Sequence, residues 1–243
     1  MLKFVGFFYL LYSAIVFIVL MVMVCPFILI AMASFRAKPA RQISFLFLKI
    51  WAWSFSFLTF LWFVSSSGKD IDTSKSYIYV GNHSSYLDAI AIVVCIPQPF
   101  SPLGKIEMLK VPIFGWIYKR MVVVIDRSSR ESRDQSLAVL RENLVNGQSI
   151  LLFPEGTINK TSETLRPFFD GAFRLAIETQ TPLIPFAILN SKAHLPQGNP
   201  FALKPGKVKM IFSKPISVNG LTLDDLPALK DQVYHEILQQ LKK

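Results

Sequence analysis

Residue 83 is a histidine, and an aspartate, Asp88, follows it five positions later in the run GNHSSYLD (residues 81–88). If the chain turns between them, the carboxylate can accept from one imidazole nitrogen and leave the other free to take a proton. A positioned base of that kind is worth ~10²–10⁴ in rate. Ser84 and Ser85 lie between the pair, but no GxSxG elbow frames either hydroxyl as a nucleophile, so helix capping is their default reading. The spacing alone carries little, because a chance His-x4-Asp pair in a chain of this composition arises about one time in ten. By itself the pair reads equally as a helix cap beside a solvated carboxylate.

A second polar cluster, FPEGT (residues 153–157), follows about 70 residues later. Pro and Gly demand a tight turn there, and Glu155 and Thr157 put polar groups at its exit. Alone it reads as an ordinary turn. Both clusters, however, come directly after short β-like runs, and ligands of α/β sheets bind beyond the carboxyl ends of strands.

The elements that would hold these clusters begin near Ser76. Residues 77–81, 100–104, 121–126, 149–153, 182–188 and 207–213 have strand character, and residues 85–95, 108–119, 132–145 and 169–179 have helical character. A last helix is expected after Asp224 and Asp225, with Pro227 in its first turn, running to Leu241. Strands alternating with crossover helices predict an α/β domain: one mainly parallel sheet flanked by helices, over residues 68–243.

Residues 1–67 are of another kind. All 16 carboxylates of the chain come later, whereas Lys3, Arg36, Lys38, Arg41 and Lys49 contribute half of the +10 net charge. Residues 4–33 carry no charge and are long enough to span a bilayer, for which ~20 apolar residues suffice; Pro26 is expected to kink that helix. Residues 43–64 hold Trp51, Trp53 and Trp62 and predict a second helix that spans or, as the charge placement favours, is interfacial or re-entrant. Arg36, Lys38 and Arg41 between the two should stay cytoplasmic, which puts the catalytic domain on the cytoplasmic face of the inner membrane. Basic residues that flank apolar segments point to membrane lipids and away from nucleic acid. His83, His194 and His235 have no partners at metal-ligand spacing, so no metal site is expected, and Cys25 and Cys95 read as reduced core residues.

Taken together, the blocks resemble the glycerolipid acyltransferases typified by lysophosphatidic acid acyltransferase. GNHSSYLD is similar to that family's NHxSxxD block and FPEGT to its FPEGTR block. GKIEMLKVPIFGWIY (104–118) with VIDR (124–127) resembles the block between them, and TPLIPFAI (181–188) the fourth. The resemblance covers roughly residues 76–190. It implies that His83, oriented by Asp88, deprotonates an acceptor hydroxyl, which attacks the thioester of acyl-CoA or acyl-carrier protein directly. It further implies acceptor binding by Glu155, Gly156 and Thr157, a phosphate grip by Lys105 and Arg127, and a place near the thioester for Pro185. No cofactor is implied beyond the thioester co-substrate. The acceptor it implies is 1-acylglycerol-3-phosphate, the product phosphatidic acid. One departure bears on the acceptor: Ile158 stands where the family carries Arg, and Lys160 or Arg166 would have to compensate. Acylation of another lysophospholipid or amino-lipid is the alternative that departure favours. A membrane thioesterase or lipase, and a non-catalytic membrane protein, are weaker alternatives.

Overall fold

The computed structural model describes residues 2–66 and 71–242, with side chains from Gly6 onward. The boundary expected between residues 67 and 68 lies outside the described residues. Two helices open the chain, α1 (Leu2–Ser34) and α2 (Ala37–Thr59). Strand β1 (Leu61–Ser65) follows, then β2 (Ile78–Gly81), α3 (Asp88–Cys95) and β3 (Phe100–Lys105). Next come α4 (Phe114–Met121), β4 (Val123–Ile125), α5 (Arg130–Val145) and β5 (Ser149–Leu152). The chain ends with α6 (Gly171–Thr179), β6 (Leu183–Leu189), α7 (Ser191–His194), β7 (Gly206–Phe212) and α8 (Leu226–Leu241).

The seven strands form one sheet in the order β1-β7-β6-β2-β5-β3-β4. β6, β2, β5, β3 and β4 are parallel; β7 runs antiparallel to β6, and β1 lies parallel to β7 at the edge. The expected mainly parallel α/β sheet is therefore present. β2 is central, and the chain inserts β5 beside it before crossing to β6 on its other side. That reversal brings the loops after β2 and β5 together at one end of the sheet, where such a fold opens a crevice.

Strand side chains alternate between two cores, as the two-residue period requires. Tyr77 and Tyr79 of the β2 run point into one core with Trp51 and Phe55 of α2, Ile92 of α3 and Phe186 of β6. Ile78 and Val80 point into the other with Leu140 of α5, Phe173 of α6 and Val233 of α8. Both sheet faces are covered, which is why β2 and β5 are buried at every position. α5 starts where Ser129 Oγ accepts the amide of Ser132 at 3.1 Å, and Gly147, with φ +73°, lies just beyond its end. Pro stands in the first turn of α8, after a capping box between Thr222 and Asp225.

Three expectations are corrected. The apolar stretch 43–64 is not one helix: α2 stops at Thr59, Phe60 turns in the left-handed region at φ 56°, and residues 61–64 are strand. Ser56 Oγ donates to the carbonyl of Leu61 at 2.7 Å, and Phe60 C=O accepts from Gly206 N at 3.0 Å. An unbroken apolar run hides such a boundary, because helix and buried strand are equally hydrophobic there. The helix expected over 108–119 is divided into a 3₁₀ turn, Ile106–Lys110, and α4. Pro112 explains the division, since it lacks an amide donor and pushes its predecessor toward extended backbone; Val111 has φ −74° and ψ 120°. α3 begins at Asp88 rather than near residue 85, which leaves 82–87 as a turn. Pro26 lies inside α1 without ending it.

α1 and α2 pack side by side in opposite directions. Tyr12 donates to the carbonyl of Leu58 at 2.9 Å, Phe17 meets Trp51 edge-on at 4.9 Å, and Phe27 stacks on Phe47 at 4.9 Å. Their inner faces close one side of the sheet. Their outer faces leave Phe8, Ile15, Met23, Ile30, Leu46 and Trp53 exposed.

Candidate active site

β2 ends at Gly81, where a Cβ would come within 2.1 Å of the Phe186 ring. The absence of a side chain lets the strand end close on β6. Asn82 then ties the exit of β2 to β6: its carboxamide accepts from Ile188 N at 2.7 Å and donates to Ile188 O at 3.0 Å. Asn82 is buried, and both halves of its amide are satisfied by one residue of the neighbouring strand.

The next residue is His83. Its Nδ1 lies 2.9 Å from Asp88 Oδ2, and the same oxygen accepts the amides of Ser84 at 2.7 Å and Ser85 at 2.9 Å. Asp88 is fully buried in the first turn of α3. An oxygen already receiving two N–H groups is an acceptor, so Nδ1 carries the imidazole proton and Nε2 keeps its lone pair. The alternative of a capping histidine beside a solvated carboxylate is reversed: the carboxylate closes the turn and the histidine is what it orients. The His83 ring also lies flat on Phe153, centroids 4.1 Å apart at 13°, which fixes its plane.

The main chain of His83 is held from two sides by the loop after β5. Glu155 Oε1 accepts its N–H at 2.8 Å, and its carbonyl accepts from Asn159 N at 2.7 Å. The other oxygen of Glu155 accepts Arg166 N at 3.0 Å. Glu155 is only 1% exposed, and that burial raises its carboxyl above the ordinary glutamate range against the pull of the two amide donors. Its geometry is that of a clamp between the two loops, with both oxygens turned to backbone. Gly156 makes the turn at φ +72°, where a Cβ would lie 2.7 Å from the Phe169 ring. Thr157 and Ile158 are half-buried beside it. Asn159 closes the loop on itself, accepting from Thr161 N at 2.9 Å and donating to Glu163 O at 2.9 Å.

Ser85 Oγ accepts Leu87 N at 3.3 Å at the entry to α3, as a capping hydroxyl does, and both serines have further partners. Ser84 Oγ lies 3.0 Å from Ser191 Oγ, and Ser85 Oγ donates to Leu195 O at 2.9 Å. Both hydroxyls thus tie the turn to the segment after β6, and neither is paired with the His83 ring. That leaves Nε2 for a hydroxyl brought from outside.

Lys105 ends β3, two strands from β2, and is exposed. Arg127 lies two residues beyond β4, one strand farther out, half-buried near Tyr118 and Glu107. With ~4.8 Å between strands, they stand about 10 Å and 14 Å to the side of β2, at the same end of the sheet as His83. Burial lowers the Arg127 guanidinium and pushes the Tyr118 phenol up to about 12, so that phenol is a neutral donor beside the cation. Pro185 is buried opposite Val80, about 10 Å below the level of His83, and its carbonyl accepts Ser213 N at 2.9 Å. It is not at the rim with the loops. Among the described residues no group of three His, Cys, Asp or Glu could hold a metal ion.

Asn82, Phe153 and Asn159 are parts of the site that sequence reasoning passed over. The first two stand in the quoted blocks, but a buried amide or a ring under a histidine has no spacing signature.

A mainly parallel sheet with a carboxylate-oriented histidine just beyond its central strand has the geometry that a general base would need on an α/β scaffold. Comparison with known proteins gives the class its family. A profile described as Acyltransferase matches residues 64–189. The chloroplastic 1-acyl-sn-glycerol-3-phosphate acyltransferase BAT2 of Brassica napus is 33% identical over 206 residues, 84% of this chain and 58% of that protein. The 1-acyl-sn-glycerol-3-phosphate acyltransferase alpha of Mus musculus is 31% identical over 169 residues, 68% of this chain and 58% of its own length. The crystal structure of the 1-acyl-sn-glycerophosphate (LPA) acyltransferase PlsC from Thermotoga maritima superposes with a TM-score of 0.83 at 23% identity, covering 100% of this chain and 98% of that one; the likeness is one of fold. The chain belongs to the acyltransferase family. It spans about 58% of the length of these two curated relatives.

Proposed function

We propose that this protein moves a fatty acyl group from the thioester of acyl-CoA or acyl-carrier protein to the free hydroxyl of 1-acylglycerol-3-phosphate, giving phosphatidic acid. The observation that carries the reading is the His83–Asp88 pair, whose orientation leaves Nε2 as the base. The acceptor class is taken from the names of the similar proteins.

In the forward step the acceptor O–H gives its proton to His83 Nε2 while its oxygen bonds to the thioester carbonyl carbon. Asp88 stabilises the imidazolium that forms. As the tetrahedral centre collapses the C–S bond breaks, and the thiolate takes the proton back from Nε2 as the free thiol. Histidine, acceptor and donor all return to their starting protonation. Lys105 and Arg127 would grip the acceptor phosphate, because charge-assisted bonds to phosphate call for Lys or Arg. Gly156 and Thr157 would line the acceptor's approach, and Pro185 would shape the floor beneath the thioester. Glu155 serves acceptor binding through the loop it anchors.

The membrane is the proposed workplace. The stretch Gly6–Ser34 is long and apolar enough to cross a bilayer, and the basic residues Arg36, Lys38 and Arg41 favour the cytoplasmic side for the loop that follows. Lysolipid then reaches His83 from the bilayer and the thioester from water. A second reading, transfer to another lysophospholipid or amino-lipid, rests on Ile158, which offers no charge where the family's Arg stands.

Membranes carrying the protein, given labelled acyl-CoA or acyl-carrier protein with lysophosphatidic acid, other lysolipids or no acceptor, test these readings. Transfer to lysophosphatidic acid supports the first, and transfer only to another lysolipid the second. Thioester loss without an acceptor overturns both.

A further inference from the structure

One cavity is remote from His83. It occupies about 390 Å³ along the edge strand β4, between the start of α2, the end of α4 and α5. Three cations line it: Arg41 of α2, and Lys119 and Arg120 of α4. Ser101, Gln135 and Asn143 add polar atoms. No carboxylate is among the lining residues, and among the described residues none of the three cations has an ion pair within 4.0 Å. Arg41 is half-buried, and its guanidinium has an amide oxygen, Asn143 Oδ1, at 3.4 Å. Lys119 and Arg120 are exposed and the half-buried Arg41 guanidinium keeps donors free, so the cavity offers three positive charges to an anion. The planar donor fork of Arg suits the oxygens of a phosphate.

Position tells which anion. Arg41 is one turn into α2, beside Arg36 and Lys38 at the bend of the α1–α2 hairpin, where Phe35 is exposed. α4 runs to the cavity from a contact between its Phe114 and Phe17 of α1, with Trp116 exposed on the way. The cations therefore sit at the border of the apolar surface presented by the two helices, which is the level of lipid headgroups for a protein resting on a bilayer. The cavity lies three strands from β2 and toward the amino ends of β3 and β5, so it is about 20 Å from His83 and separate from the acceptor site.

We propose that this cleft binds the headgroup phosphate of an anionic phospholipid, at a second site that seats the enzyme on negatively charged membrane. The proposal rests on the membrane reading given above. Each cation near a charged membrane surface contributes roughly a fivefold gain in binding, so the three together reach on the order of a hundredfold, well above tenfold.

The test compares full-length protein with the triple variant R41Q/K119Q/R120Q on two vesicle types, phosphatidylcholine alone and phosphatidylcholine mixed with phosphatidylglycerol. Wild type should bind the mixed vesicles more than tenfold better, and the variant should lose most of that increment. Its binding to phosphatidylcholine and its transfer rate in neutral detergent micelles should stay as in wild type, which also shows that it folds. The single variant R41K, which keeps charge but not the fork, should lose part of the increment. An increment retained by the triple variant overturns the proposal alone. Failure of wild type to bind either vesicle overturns the membrane reading as well. Full occupancy by free inorganic phosphate, competing away the mixed vesicles, reassigns the cleft to a soluble anion. Slower transfer from acyl-carrier protein than from acyl-CoA in the variant, with vesicle binding intact, reassigns it to an acidic protein.

Discussion

Glu155 Oε1 accepts the backbone N–H of His83 at 2.8 Å, so a side chain of the loop after β5 sets the height of His83 two residues beyond β2. Its second oxygen takes Arg166 N at 3.0 Å, and Asn159 N reaches the carbonyl of His83 at 2.7 Å. Two segments about 70 residues apart in the chain are thereby tied together. The pair of polar blocks seen in the sequence is one device: the second block holds the first.

Replacing Glu155 by Gln puts an NH₂ group against one of two backbone amides and leaves a buried donor unpaired. The expected result is a loss of about 1–3 kcal/mol of stability by denaturant unfolding. A fall in kcat of tenfold or more should accompany it, with KM for the thioester little changed. Undiminished kcat with normal stability would remove Glu155 from the positioning role.

The same residue gives a pH signature of defined sign. Burial raises the folded-state carboxyl above its unfolded value. Its contribution to stability is therefore fully present below the unfolded value, ~4.3, and is lost as pH rises through the folded one. The stability of wild type relative to E155Q should fall as pH is raised from the acid range, and a difference that grows with pH would contradict the raised carboxyl.

Asp88→Asn keeps the shape of a fully buried side chain but removes the charge that receives His83 Nδ1 and the amides of Ser84 and Ser85. kcat should drop by ~10²–10⁴. KM for both substrates should hold within a few fold. A drop confined to KM would mean that Asp88 serves binding.

Much of this site was legible from residue types and order. The His83–Asp88 pair, the FPEGT turn and the strand–helix alternation all survive in three dimensions, because each depends on local periodicity or on turn chemistry. What stayed hidden depends on tertiary pairing. The resemblance assigns Glu155 to acceptor binding, and only the fold shows that both of its oxygens accept backbone amides. Asn82 looks like any loop amide until Ile188 is placed beside it. β1 was concealed inside residues 43–64, where Leu61 and Phe63 turn out to be core residues of a sheet edge. Pro112 was visible, but its power to split 108–119 into two short helices depended on where Val111 had to go.

Ile158 stands where the resemblance of FPEGT to the family block leads one to expect Arg. Ile158→Arg should raise kcat/KM for lysophosphatidic acid relative to an uncharged lysolipid by about ten- to a hundredfold, the range of a charge-assisted hydrogen bond. Equal preference before and after the change, measured on both acceptors, would mean that Lys105 and Arg127 already saturate the phosphate.

The central claim is that His83 Nε2 takes the acceptor's proton. Single-turnover transfer from labelled acyl-CoA to lysophosphatidic acid, comparing His83→Ala with wild type in the same membranes, tests it most directly. The expected rate is lower by ~10²–10⁴, with membrane integration and unfolding midpoint unchanged. Transfer at the wild-type rate by the alanine protein would contradict it.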